Sequence, residues 1–166
     1  LECSGFVHVL DVGCGSGKTT LQLWQKNLDM HITAFDISES QIRTARDHYE
    51  QFCHDGLPAD CTGSIRFLVK DVMELAEKNH YDLVFSNAVM HWVADPRQAY
   101  RLLYEALAPG GELAVHQGGF GTYSGLHKTV QKAIRNVGFT ERYRTWIFPV
   151  FYPAREEMEE LLEQTG

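Results

Sequence analysis

Residues 8–17, His-Val-Leu-Asp-Val-Gly-Cys-Gly-Ser-Gly, constrain the fold of this chain more than any other stretch. An apolar run (Val9, Leu10, Val12) enters a turn with glycines at 13, 15 and 17, and Lys18-Thr-Thr-Leu-Gln-Leu-Trp24 then opens a helical pattern. A strand that passes through such a loop into a helix lets backbone N–H groups and the positive helix end approach a ligand, because no Cβ stands in the way. A second run, Ile32-Thr-Ala-Phe35, ends in Asp36, 19 residues after Gly17. A doubly wound sheet places a carboxylate for ribose hydroxyls at that distance. Together the two features point to a nucleoside ligand at the carboxyl edge of a parallel sheet.

Three nucleotide chemistries share this outline, and individual residues separate them. The phosphate-gripping loop G-x-x-x-x-G-K-[ST] finds its second half in Gly17-Lys18-Thr19, but its first glycine would fall on Val12. The loop is then one residue too short to wrap a triphosphate. The dinucleotide fingerprint G-x-G-x-x-G fits Gly13 and Gly15, yet its third glycine would fall on Lys18. The actual spacing, G-x-G-x-G preceded by Leu10-Asp11-Val12, resembles the first motif of the class I S-adenosylmethionine-dependent methyltransferases.

Four further segments carry the resemblance, in order. Ala34-Phe35-Asp36-Ile37-Ser38 is similar to the family's second motif, where the acidic residue holds the ribose and the next residue packs on adenine. Phe67-Leu-Val-Lys-Asp71-Val72 is similar to the adenine-side motif, which implies that Asp71 accepts from the exocyclic amine. Tyr81-Asp-Leu-Val-Phe-Ser-Asn87-Ala88 is similar to the fourth strand, whose tip lies beside the methionine moiety and the transferred methyl. Leu107-Ala-Pro109-Gly110-Gly111 resembles the L-x-P-G-G turn into strand five. The resemblance covers residues 8–116. It implies S-adenosylmethionine as cofactor, S-adenosylhomocysteine as product, and a cofactor shell of Asp11, Gly13, Cys14, Gly15, Gly17, Asp36, Ile37, Asp71, Val72, Asn87 and Ala88. In this motif Asp11 braces the glycine loop by accepting backbone N–H groups or a bound water, and Cys14 meets the loop's need for a small side chain.

Strand and helix patterns alternate along the chain. Strands are expected over 7–12, 31–36, 64–69, 81–86 and 111–117, and helices over 17–27, 38–54, 71–78 and 95–107. Ser38 caps the second helix, while Asp95 caps the fourth with Pro96 at its first position. Such alternation gives an α/β fold: a doubly wound, mainly parallel sheet with helices on both faces and right-handed crossovers. Ligands of such sheets bind at the strand carboxyl ends. Family members finish with antiparallel strands six and seven, which these 166 residues do not contain. The resemblance therefore implies a fragment of a longer chain, with strand five an exposed edge.

One domain is expected over residues 1–166, in keeping with a chain of this length. Residues 1–117 form its cofactor-binding core. A net charge of −7 argues against nonspecific nucleic-acid binding, which needs phosphate-neutralising Lys and Arg. No apolar stretch approaches ~18 residues and no signal pattern opens the chain, so neither a membrane span nor secretion is expected. Cys53 and Cys61, with His48 and His54 nearby, invite a zinc reading, but the H-x4-C-H-x6-C order matches no common structural-zinc spacing. No metal is expected, and the four cysteines read as reduced thiols of a cytoplasmic protein. The sequence leaves the oligomeric state open.

Beyond residue 117 the texture changes. Gln117-Gly-Gly-Phe-Gly-Thr-Tyr-Ser-Gly125 is glycine-rich and precedes a helical pattern over 126–137. Residues 139–153 then combine aromatic and cationic side chains, among them Arg142, Arg144, Trp146, Phe148 and Tyr152. In the resembled family, segments after strand five form a lid over the acceptor, so 118–152 is expected to be that lid and 153–166 a final helix. The same aromatics would serve equally to cover the sheet.

The cofactor's methyl is already electrophilic, so alignment does most of the work and no catalytic triad is needed or visible. His91, four residues past Asn87, is the first candidate for a base, and His116, at the end of strand five, the second. Tyr123 and Tyr152 are candidate acceptor-pocket walls. Ser86-Asn-Ala-Val-Met-His-Trp-Val93 is similar to methyltransferases acting on small carboxylic acids or carrier-protein-bound thioester acids, of the trans-aconitate and malonyl-carrier type. Arg142 and Arg144 are candidate partners for an acceptor carboxylate, while methylation of a small natural product or a quinone ring, on O, C or N, fits the sequence equally well. Two rival readings stay open: a cofactor-binding module without catalysis, and a nicotinamide oxidoreductase, which would leave Asp71 and the Pro109-Gly110-Gly111 turn without a role.

Overall fold

Val9 and Leu10, adjacent on the first strand, are both fully buried, which requires apolar cover on both faces of the sheet. A computed structural model, describing residues 5–59, 61–146 and 149–166, supplies that cover. Five strands, His8–Val12 (β1), His31–Asp36 (β2), Ser64–Val69 (β3), Tyr81–Asn87 (β4) and Leu107–His116 (β5), run parallel in the order β3-β2-β1-β4-β5. The helices are Lys18–Trp24 (α1), Glu39–His54 (α2), Pro96–Ala106 (α3), Ser124–Asn136 (α4) and Arg155–Thr165 (α5).

Strand alternation sorts the core into two layers. Leu10, Val12, Phe35 and Val84 meet Tyr100 and Leu103 of α3 and Leu161 of α5 on one face. Val9, Ile32, Ala34, Phe67 and Leu83 meet Trp24 of α1 and Ile42 and Ala45 of α2 on the other. The doubly wound parallel sheet is thus the observed architecture. Its helix starts follow the capping chemistry: Ser38 Oγ accepts from Gln41 N–H, and Asp95 Oδ1 accepts from Gln98 N–H with Pro96 at the first turn.

Three elements differ from the sequence reading by more than two residues at a boundary. The helix expected over 71–78 shrinks to one 3₁₀ turn, Val72–Glu74, with Asp71 as its cap. Beyond it Glu77 accepts from Ala76 N–H and pairs with Lys70, and Asn79 turns left-handed (φ 49), so side-chain bonding and a reversed dihedral replace the helical ladder. The first helix stops at Trp24, whose Nε1 donates 3.0 Å to Met30 O. β5 begins at Leu107 rather than 111, pairing first with Tyr81 and then slipping register where Gly110 takes φ 82. The Pro-Gly-Gly segment is therefore an irregularity inside the strand.

Among the described residues β5 is a sheet edge, and α4 buries no residue. No described helix is long and apolar enough to cross a membrane.

Candidate functional site

The glycine loop is tied to the end of β2. Gly13 and Cys14 donate their N–H groups to Phe35 O (2.8 and 2.9 Å), and Gly15 N–H donates to Asp36 Oδ2 (2.9 Å). Ser38 N–H donates to Asp36 Oδ1, also at 2.9 Å. Asp36 thus joins the β1–α1 loop to the start of α2, and each oxygen keeps a lone pair. Gly17, left-handed at φ 74, is the N-cap of α1, and a Cβ there would stand 2.9 Å from Ala45 Cβ. The Gly-Lys-Thr sequence serves helix entry and packing here: Lys18 is exposed.

Asp11 lies at the same loop but faces inward, 2% exposed. Its partner is the Thr20 hydroxyl, which donates 2.6 Å to Oδ2. The expected brace through loop N–H groups passes to Asp36 and Phe35 instead. Burial pushes the Asp11 carboxyl up to about 7, against the Thr20 hydrogen bond, with Asp36 adding to the rise. Burial, then Asp11 and Asp36, likewise push the Cys14 thiol up, so it is no thiolate nucleophile.

A cleft of about 530 Å³ opens over this loop. It brings together Gly13, Asp36, Ile37, Asp71 and Val72 from the sequence-derived set. Asp11, Cys14, Gly15, Gly17, Asn87 and Ala88 lie outside its lining. Ile37 is 71% exposed and Trp92 59% exposed, large apolar faces turned toward the cleft without protein cover. Asp71 Oδ1 accepts from Met73 N–H (2.9 Å) as cap of the 3₁₀ turn, leaving its second oxygen uncommitted by that bond.

Lys70, Met73, Val89, Trp92 and Asp95 also line the cleft, and the motif reading gives none of them a cofactor-binding role. Lys70 and Met73 flank the Asp71-Val72 pair, so their neighbourhood in sequence was a usable signal. Val89 was not legible: a Cβ on Gly13 would stand 2.3 Å from its Cγ2, a contact between loops 76 residues apart. Of the charged lining residues described, Asp36, Asp71 and Asp95 are acidic and Lys70 is the one cation, paired with Glu77 at 3.0 Å.

At the tips of β4 and β5, His116 Nδ1 and Asn87 Oδ1 are 2.9 Å apart, and Ala88 N–H donates 2.7 Å to His116 O with Ala88 left-handed (φ 61). His91 sits in the next turn, Met90–Trp92, 8% exposed. Its Nδ1 accepts from Gly118 N–H at 3.4 Å, which assigns the proton to Nε2. Burial, then His116, hold its pKa below the usual imidazole value, so the ring is neutral at pH 7.

The remaining candidates separate. Tyr123 and Tyr152 line a second cavity after β5, whereas Trp146 and Tyr143 line an apolar groove with Val130 and Ile134 of α4. Arg142 lies over the Phe139 ring at 5.9 Å, and neither it nor Arg144 lines these cavities. Phe148 lies outside the described residues. His48 bonds to Ser16 O and Cys61 to Leu28 O, and among the described residues no three His, Cys, Asp or Glu side chains converge on a metal position.

Comparison with known proteins matches this geometry to a family. A methyltransferase domain family matches residues 9–111. A malonyl-[acyl-carrier protein] O-methyltransferase of Acetivibrio thermocellus is 32% identical over 143 residues, covering 86% of this chain and 47% of that protein. A trans-aconitate 2-methyltransferase of Delftia acidovorans is 32% identical over 111 residues, 65% of this chain and 37% of that protein. The solved phosphoethanolamine N-methyltransferase 2 of Haemonchus contortus, in complex with S-adenosylhomocysteine, superposes at TM-score 0.67 and 21% identity, over 96% of this chain and 33% of that one, a likeness of fold. The chain spans about half the length, or less, of the curated relatives it matches. With the glycine loop, the carboxylate at the end of β2 and the turn into β5 all inside the matched span, the chain belongs to the methyltransferase domain family.

Proposed function

We propose that the cleft binds S-adenosylmethionine and that the chain transfers its methyl group to a small molecule bearing a carboxylate. The observation that carries this reading is the charge of the cleft over the glycine loop: three carboxylates against one ammonium already paired with Glu77. Such a lining repels a pyrophosphate and suits a nucleoside that carries a sulfonium and an ammonium. This disfavours a nicotinamide dinucleotide. Asp36 retains acceptor capacity for ribose hydroxyls, Ile37 and Met73 offer apolar faces to adenine, and Asp71 keeps an oxygen for the exocyclic amine.

When bound, the cofactor supplies an electrophilic methyl on a sulfonium. The protein's part is alignment, worth ~7–11 kcal/mol in well-oriented systems. A carboxylate acceptor is nucleophilic as it stands and needs no base. Neutral His91, with Nδ1 engaged by Gly118, adds no positive charge beside the sulfonium and orients the turn that faces the acceptor. His116, exposed and bonded to Asn87, is the imidazole placed to take a proton from an acceptor that must lose one. The names of the malonyl-carrier and trans-aconitate relatives support an acid, free or carrier-bound.

Calorimetric titration tests the reading. S-adenosylhomocysteine should bind and NAD should not, and Asp36→Ala should lose a charge-assisted hydrogen bond of ~1.5–3 kcal/mol, roughly ten- to a hundredfold in affinity. Binding of NAD instead, or an unchanged curve for Asp36→Ala, would overturn it. Labelled-methyl transfer to a panel of small acids then checks catalysis. Transfer to none would reduce the reading to cofactor binding.

A further inference from the structure

The chain between β5 and α5 stands apart from the core. Among the described residues, none between 118 and 146 belongs to either core layer, and α4 buries no side chain. The spacing along α4 is nonetheless that of a helix with one apolar face. Leu126, Val130, Ala133 and Val137 recur at intervals of four, three and four residues, with Ile134 beside them. Lys128, Lys132 and Arg135 form a second row on the opposite side of the helix. The apolar row meets Phe139, Tyr143 and Trp146 across an open groove of about 380 Å³, whose described lining is wholly aliphatic and aromatic.

Much of this apolar surface is turned to water. Of the thirteen large apolar side chains exposed among the described residues, six crowd into one short span: Phe120, Tyr123, Leu126, Val137, Phe139 and Tyr143. Such a concentration marks an interaction surface rather than ordinary surface scatter. The charge of the same segment runs against that of the chain. Lys128, Lys132, Arg135, Arg142 and Arg144 are offset by Glu141 alone, in a protein of net charge −7. Among the described residues none of the five cations forms an ion pair.

The placement of the two rows selects the partner. An acidic protein docked on the cationic row would leave the apolar row in water, and one docked on the apolar row would leave the cations unused. A bilayer accommodates both. An interfacial helix sinks its apolar face ~5–10 Å into the headgroup boundary, and long Lys and Arg side chains reach back to the lipid phosphates. Tyr and Trp favour the same depth, apolar at one end and wet at the other. We infer that α4 and residues 139–146 dock the protein on an anionic lipid surface, with the groove taking acyl chain and the cations meeting the headgroup phosphates. This surface goes beyond methyl transfer and does not depend on what the cleft binds.

Sedimentation with vesicles tests it, comparing phosphatidylglycerol-rich vesicles with vesicles of phosphatidylcholine alone. The chain should bind the former, bind the latter at least tenfold more weakly, and be released from the former by high salt. Lys132→Gln combined with Arg135→Gln should weaken binding about thirtyfold, from about 1 kcal/mol per cation near an anionic surface. Leu126→Gln combined with Val137→Gln should weaken it at least tenfold at unchanged charge. That variant should melt as the parent does, because both side chains are exposed. No vesicle binding, equal binding to both compositions, or binding indifferent to the Leu126→Gln and Val137→Gln pair would overturn the inference. Tighter binding to polyglutamate than to vesicles would overturn it in favour of an acidic polypeptide. Self-association in light scattering that the same pair abolishes would overturn it in favour of a second copy of the chain. Titration of S-adenosylhomocysteine without lipid reads the cofactor proposal separately, so either can fail alone.

Discussion

Replacing Asp11 by Asn isolates the most strongly perturbed carboxyl beside the glycine loop. Asp11 is 2% exposed, and burial raises its pKa from an ordinary 3.8 to about 7 in the folded chain. The unfolded chain releases this proton near pH 4 while the native state holds it to about pH 7, so the native state binds more protons in between. Stability therefore falls as pH rises through that window, and the loss is complete above the folded value. Roughly three pH units at about 1.36 kcal/mol each give about 4 kcal/mol. Asn keeps an oxygen for the Thr20 hydroxyl and cannot ionise. The variant should match the parent near pH 4 and exceed it by up to about 4 kcal/mol at pH 8, read from urea unfolding at matched pH values. Taking the difference between the two proteins cancels every other titrating group. Thr20→Val should shift the parent's transition to higher pH, because the lost hydrogen bond favours the ionised form. A difference curve flat from pH 4 to 8 would refute the burial argument, and one rising toward acid pH would reverse its sign.

Other consequences follow from single contacts. If Asp71 reads the exocyclic amine, S-inosyl-homocysteine should bind at least tenfold more weakly than the adenosyl compound, because deamination turns a carbonyl oxygen toward the carboxylate; equal affinities by calorimetry would remove Asp71 from base recognition. Gly17→Ala should cost about 1–3 kcal/mol in denaturant unfolding, since φ is 74 and the new methyl meets Ala45 Cβ at 2.9 Å; a change within 0.5 kcal/mol would show that the loop relaxes freely.

How far each element could be read from the chain depends on the range of the forces that form it. The glycine loop is local: reversed dihedrals at 13, 15 and 17 demand glycine whatever surrounds them. Alternation between Val9 and Leu10, or Leu83 and Val84, likewise announces a sheet buried on both faces, because side-chain direction along a strand reverses at each residue. Asp36 and Ile37 follow from the end of β2, and Ser38 and Asp95 from capping chemistry. The helix expected over 71–78 fails for a reason equally physical: the partners that stop it, Lys70 for Glu77 and Glu105 for Asn79, lie outside the window in which helical periodicity is read.

The candidate site divides along the same line. Motif spacing puts His91 four residues past Asn87, but its tautomer is set by Gly118, its ring packs near Tyr152, and its pKa is depressed by burial and then His116, all contacts 25 to 61 residues further on. Val89 against Gly13 and the sorting of Tyr152 and Trp146 into different cavities are contacts of the same kind. Local dihedral demands and side-chain alternation are properties of consecutive residues, so the chain itself determines the loop, the doubly wound sheet and the acidic end of β2. Desolvation and hydrogen-bond satisfaction depend on what distant segments bring to the same few ångströms, so tertiary structure alone decided which histidine is neutral and which aspartate resists ionising.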